Sequence, residues 1–151
     1  MKATPRAINS YIFFKLPSCY FTGVRVKSID NTSCTTSVRH RWINQNPFKS
    51  MFWAVQGMAA ELATGALVMA GIAQSGAKIS MLVATNNARF DKKAIGRITF
   101  CCEDGILIKD TIAKAIQTKE GQSCWTKAMG KDCHGNVVSE FNFQWTLKLR
   151  A

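Results

Sequence analysis

Acids, prolines and histidines are scarce in this chain, and each shortage narrows what it can be. Nine Asp and Glu stand against 20 Lys and Arg, a net charge of +11, which favours anionic partners such as phosphates, nucleic acid or acidic protein surfaces. The cations are scattered (Arg25, Lys27, Arg39, Arg41, Lys92, Lys93, Arg97, Lys109, Lys114, Lys127, Lys148). No arginine-rich run or named nucleic-acid motif appears, so net charge is all that supports a nucleic-acid reading. Two histidines and six cysteines without a C-x-x-C pair give no ligand set with zinc spacing, and no metal is expected. The same cysteines are expected to be reduced thiols of a cytoplasmic protein, with Cys102 and Cys124 as small core residues. The first 14 residues hold two basic groups and a short apolar run, Tyr11–Phe14, without a convincing cleavage site, so no signal peptide is expected. No proline follows Pro47, which leaves the rest of the chain free of the strongest helix breaker.

With 151 residues and 47% hydrophobic content, the chain is expected to be a single domain over 1–151 with a sizeable core. Charge is thinnest between Lys49 and Lys78, where 28 residues hold one ionisable side chain, Glu61. A carboxylate there has too little polar company for a solvated face. Burying it unpaired costs several kcal/mol unless its pKa shifts or a partner satisfies it, and acids so placed concentrate at functional sites. Asn46-Pro47 favours a helix start, and Gly71, Ser75 and Gly76 mark its end. At about 100° per residue, Ser50, Ala54, Gly57, Glu61, Thr64 and Gly65 share one stripe. That stripe reads as a narrow groove of small residues with room for a ligand. Two blander readings stand beside it. The run is long enough to span a membrane, although Glu61, Gln56, Thr64 and the glycines oppose that. Glu61 could also be a core acid paired with a distant Lys or Arg.

Elsewhere the periods are those of strands. Val137–Leu149 alternates, with Phe141, Phe143, Trp145, Leu147 and Leu149 on one face. Ser123–Lys131 precedes it across a turn at Asp132–Asn136, predicting a hairpin. Thr22–Ile29 and Ser33–Ile43 flank Asp30-Asn31 as another. Ser80–Phe90 and Arg97–Glu103 read as a third, joined through Asp91–Gly96. Asp104 is placed to cap a helix over Gly105–Lys119, ended by Gly121. Residues 1–18 read as a short helix or an arm closed by Leu16-Pro17. The order is hairpin, long helix, hairpin, short helix, hairpin: an α+β chain whose six antiparallel strands wrap a long central helix.

That order resembles the hotdog fold over roughly Leu16 to Leu149, and the likeness sharpens at the helix. Hotdog acyl-CoA thioesterases of the phenylacetate-pathway and 4-hydroxybenzoyl types carry an Asn or Gln, often followed by Pro-Phe. A His-Gly-Gly follows six residues on, with an Asp or Glu nine residues after that His. Here Asn46-Pro47-Phe48 matches the start and Glu61, 15 residues beyond Asn46, holds the acid's position. Phe52-Trp53-Ala54 replaces His-Gly-Gly, as in a divergent group of the superfamily that lacks the motif. Trp53 would crowd the site or reshape the acyl pocket.

The resemblance implies thioester hydrolysis without a cofactor, coenzyme A entering only as part of the substrate, with acyl-CoA or acyl carrier protein as partner. It also implies a homodimer or dimer of dimers with shared sites and no membrane span. Backbone N–H groups of Trp53 and Ala54 would polarise the carbonyl. Glu61 would act as general base or nucleophile, Asn46 would orient water or carbonyl, and Thr64 would bond Glu61 or the substrate. Gly57, Met58 and Gly65 would line the acyl groove. Arg89, Lys92, Lys93 and Arg97, around one turn, would contact the phosphates. The rival is a non-catalytic hotdog protein that binds acyl-CoA or lipid, which Trp53 favours.

Overall fold

The computed structural model of the chain describes residues 3–151. Helices α1 (Pro5–Lys15) and α2 (Pro17–Phe21) lead into strands β1 (Arg25–Ile29) and β2 (Cys34–Arg39). A 3-10 turn at Trp42–Asn44 precedes the long helix α3 (Trp53–Ser75). Then follow β3 (Ile79–Phe90), β4 (Arg97–Cys102), α4 (Gly105–Thr118), β5 (Gln122–Lys131) and β6 (Val137–Leu149). The strands form one antiparallel sheet in the order β1-β2-β4-β5-β6-β3, and α3 packs against five of them.

Alternation dictates which face is buried. Phe141, Phe143, Trp145 and Leu147 of β6, Ile98, Phe100 and Cys102 of β4, and Cys124 and Ala128 of β5 join Val55, Ala59, Leu62, Ala63, Ala66 and Leu67 of α3 in one core. By length and apolarity α3 is able to cross a membrane, yet twelve of its residues are buried in this chain. Two of the polar groups buried with it are satisfied: the Thr36 hydroxyl donates to the Ala59 carbonyl at 2.7 Å, and the Trp145 indole N–H donates to the Thr64 hydroxyl at 3.0 Å.

The third hairpin does not form. β3 pairs with β6 from Ile79↔Leu149 to Phe90↔Ser139, while β4 lies between β2 and β5. Length decides the pairing: β3 has 12 residues and β6 13, whereas β4 and β2 have six each and pair end to end, Cys34↔Cys102 to Arg39↔Arg97. Residues 91–96 therefore cross over instead of turning back. The helix start is corrected too. Asn46-Pro47 begins a loop whose Lys49 has a left-handed backbone, φ 60°, and Gln45 bridges to Met51. α3 begins seven residues after Asn46, at Trp53. It ends as expected, with Gly76 at φ 69°. Asp104 makes no side-chain cap to α4; its carboxylate accepts the Lys127 N–H at 2.8 Å. The helix closes on a left-handed Lys119, before Gly121.

The two sheet edges differ. The Asn9 side chain of α1 accepts the Val26 N–H at 2.8 Å and donates to the Val26 carbonyl at 3.0 Å, so α1 plugs β1. The outer edge of β3 pairs with no strand among the described residues.

Candidate active site

Glu61 lies midway along α3, half-buried. Burial raises its carboxyl pKa from the ordinary carboxylate value, and no other cause contributes. Among the described residues no Lys or Arg pairs with it and no group donates a hydrogen bond to it. Its oxygens keep contact with solvent. The structural ion pair is therefore absent within the described chain, and the acid stands unpartnered with Oε1 beside Gly65. Close by, the Cys19 thiol is pushed up to about 12, by burial first and by the Glu61 charge second, so it is an inert thiol at working pH.

The small residues of the α3 stripe serve a purpose the sequence did not indicate. A Cβ on Gly65 would stand 3.2 Å from the Trp145 ring and 3.4 Å from Glu61 Oε1; one on Gly57 would stand 3.4 Å from Phe141. The expected groove at these glycines is filled by two rings of β6. Thr64 is fully buried, donating to the Glu61 carbonyl at 3.0 Å and accepting from Trp145, so its hydroxyl is spent on the fold. Met58 accepts a long contact from the Thr22 hydroxyl, 3.7 Å, and helps seat α2 on α3.

The open space lies instead at the start of α3. A cleft of about 390 Å³ is lined by Asn46, Phe48, Phe52, Trp53, Gln56, Phe90, Lys92 and Lys93. The N–H of Phe52 is taken by the Asn44 carbonyl at 2.8 Å, and those of Val55 and Gln56 by the Phe52 carbonyl. The N–H groups of Trp53 and Ala54 make no such bond, so they remain free donors at the positive end of a 23-residue helix. Asn46 is nearby but committed: its Oδ1 accepts from the Phe48 N–H at 2.9 Å and the Ser50 N–H at 3.2 Å, and its amide donates to Ser50 and Met51. It shapes the loop.

Gln56 is the residue that sequence reasoning passed over. It is buried, and the Ser139 hydroxyl donates to its Oε1 at 2.8 Å. That bond leaves Nε2 as a donor without a partner among the described residues, in a side chain that lines the cleft. The signal was available, since Gln56 is one of two amides in the 28-residue apolar run.

The expected phosphate cluster divides. Lys92 and Lys93 line the cleft, although Lys92 pairs with Asp132 at 2.8 Å. Arg89 is held by Asp91 at 3.0 Å and Glu140 at 3.4 Å, and Arg97 donates to the Ser37 hydroxyl at 3.1 Å; neither lines it. Among the described residues no three of His, Cys, Asp and Glu are grouped to hold a metal ion. All six cysteines are free thiols, with Cys102 and Cys124 buried.

Six antiparallel strands wrapped around one long helix define a hotdog-fold protein. Among the solved structures similar to it are the following three. One is PA5026 of Pseudomonas aeruginosa, a protein of unknown function named as a probable thioesterase: 18% identity, TM-score 0.82, covering 99% of this chain and 100% of that one. Another is a mutant of thioesterase PA1618 from the same organism, at 12% identity and TM-score 0.73, covering 99% and 97%. The third is thioesterase HI1161 of Haemophilus influenzae, at 10% identity and TM-score 0.70, covering 99% and 93%. Residues 5–147 match the model of DUF4442, a domain of unknown function, and the chain belongs to that family. Comparison with curated proteins finds no match.

Proposed function

We propose that the protein hydrolyses acyl thioesters, with Glu61 as general base or nucleophile. The carrying observation is the half-buried carboxylate without a partner; burial raises its pKa, the direction that makes a carboxylate a better base. The free N–H groups of Trp53 and Ala54 are the oxyanion donors. Gln56 Nε2, fixed by Ser139, takes the orienting amide role, and Asn46 holds the loop that walls the cleft.

The spacing along the helix supports a site shared between two chains. Glu61 is eight residues beyond Trp53, about 12 Å along the helix axis at 1.5 Å per residue, too far for both to reach one carbonyl. Two chains paired through the open β3 edge would set antiparallel helices side by side and bring one protomer's N–H groups to the other's Glu61. Lys92 and Lys93 at the cleft rim fit the phosphates of coenzyme A or an acidic carrier protein. A second reading is favoured by one observation: the exposed Trp53 and Phe52 rings wall the cleft, as in a protein that holds an acyl thioester without cleaving it.

Thiol release from a panel of acyl-CoAs, run beside calorimetric binding of the same compounds, separates the two. Turnover of at least one acyl-CoA is expected. Tight binding with no release across the panel would establish the binding module and discard the hydrolase.

A further inference from the structure

One face of the molecule combines exposed aromatics with unpaired cations, and none of it belongs to the cleft. α1 turns Ile8, Asn9 and Ile12 toward β1 and leaves Tyr11, Phe13, Phe14 and Lys15 exposed. The ring of Phe13 lies 4.8 Å from Phe14, 4.9 Å from Tyr20 and 6.2 Å from Phe21. The turn after β2 is tied beside them, since the Asn44 amide donates to the Thr22 carbonyl at 2.9 Å. That turn holds out Trp42, 83% exposed, as the end of α1 holds out Phe14, 75% exposed.

The segments that carry this face are rich in cations, and the acid near them is Glu61 of α3, whose charge acts on the Cys19 thiol of α2. Residues 1–29 contain five Lys and Arg and no acid, and residues 31–60 add Arg39, Arg41 and Lys49, again with no acid. Asp30 lies at the opposite end of β1 from Arg25. All four ion pairs among the described residues use Arg89, Lys92 or Lys127; Lys15, Arg25 and Arg41 have none. Arg25 stacks on Tyr20 at 3.6 Å and spends only Nη1 on carbonyls, 2.7 Å from those of Tyr20 and Val24. Arg25 also lines a cleft of about 350 Å³ together with Phe13, Phe14 and Tyr20.

We infer that this face docks the protein on an anionic lipid bilayer, with Phe14, Phe21 and Trp42 entering the headgroup layer and Lys15, Arg25 and Arg41 meeting lipid phosphates. Aromatic rings and cations side by side suit that interface. A surface of pure positive charge without rings would suit an acidic protein instead, and an apolar patch without charge would suit a second copy. The surface is independent of the thioesterase reading and does not use the β3 edge.

The test is co-sedimentation of the full chain with vesicles of phosphatidylcholine alone and of phosphatidylcholine with phosphatidylserine. Binding is expected only with the anionic vesicles, weakening as salt screens the cations. The double variant Phe14→Ser/Trp42→Ser changes only exposed side chains, and near-ultraviolet circular dichroism checks its fold. It should bind about tenfold or more weakly, as lost insertion of apolar groups requires, and Lys15→Glu/Arg41→Glu should bind weakly too. Absence of sedimentation with anionic vesicles at low salt overturns the inference. So does equal binding by the folded Phe14/Trp42 variant, or a fall in its assembly mass, which would assign the face to a second copy. Loss of binding to an acidic carrier protein with vesicle binding unchanged would assign it to that partner.

Discussion

At Glu61 the fold holds a charge it does not compensate, and the consequence is a pH signature. In the unfolded chain the carboxyl titrates near its ordinary value of 4.5; in the folded chain burial raises it. Above the folded pKa the group is ionised in both states and only the native state is penalised. Below the unfolded pKa it is neutral in both and the penalty vanishes. Glu61→Gln is therefore expected to melt at or above the parent temperature at pH 7 to 8, with the gap closing as pH falls through the carboxylate range. Scanning calorimetry across that range checks it; a variant several degrees less stable at neutral pH would mean an ion pair. Ser139→Ala tests the neighbouring amide. It strands Gln56 Oε1 in the core, which should cost about 1–3 kcal/mol in chemical denaturation, while Ser139→Thr should restore the bond.

At the scale of elements, the pieces that alternation and periodicity specify were readable. The β6 face of Phe141, Phe143, Trp145 and Leu147, the β5–β6 and β1–β2 hairpins, the end of α3 at Gly76 and the span of α4 follow from local pattern. What was not readable depended on partners far along the chain. β3 prefers β6 because the two match in length, which no local turn signal at 91–96 announces. Asn46-Pro47 looks like a helix start, yet the Asn46 side chain closes a loop on Phe48 and Ser50 instead. The small residues of α3 read as empty space because the rings that fill it, Phe141 and Trp145, lie about 80 residues away. Glu61 was legible as an isolated charge; Gln56 was legible as one of two amides in the apolar run, but its bond to Ser139 is tertiary and was not. The start of α4 offers a test of close packing. A Cβ on Gly105 would stand 2.6 Å from Thr32 Cα and would also meet the Asn31 carbonyl, both rigid backbone. Gly105→Ala should push α4 off the β1–β2 turn and lose about 1–3 kcal/mol, read as a lower denaturation midpoint at unchanged slope; an unchanged midpoint would refute that packing.

For the whole molecule, the proposed assembly rests on one edge strand. α1 closes β1, and β3 leaves twelve residues open, an invitation to edge-to-edge pairing. Light scattering should give twice the 16.7 kDa chain mass or a multiple of it, and a monomer at micromolar concentration would dismantle the shared site. The proposed chemistry comes down to one comparison: turnover of the best acyl-CoA by the parent protein and by Glu61→Gln, at concentrations where calorimetry shows both are saturated. The expected result is a loss of kcat of about 10²-fold or more, the scale of a positioned base, with the dissociation constant preserved and the melting temperature no lower than the parent's. Equal kcat in the two proteins would contradict the assignment of Glu61 and the hydrolase built on it.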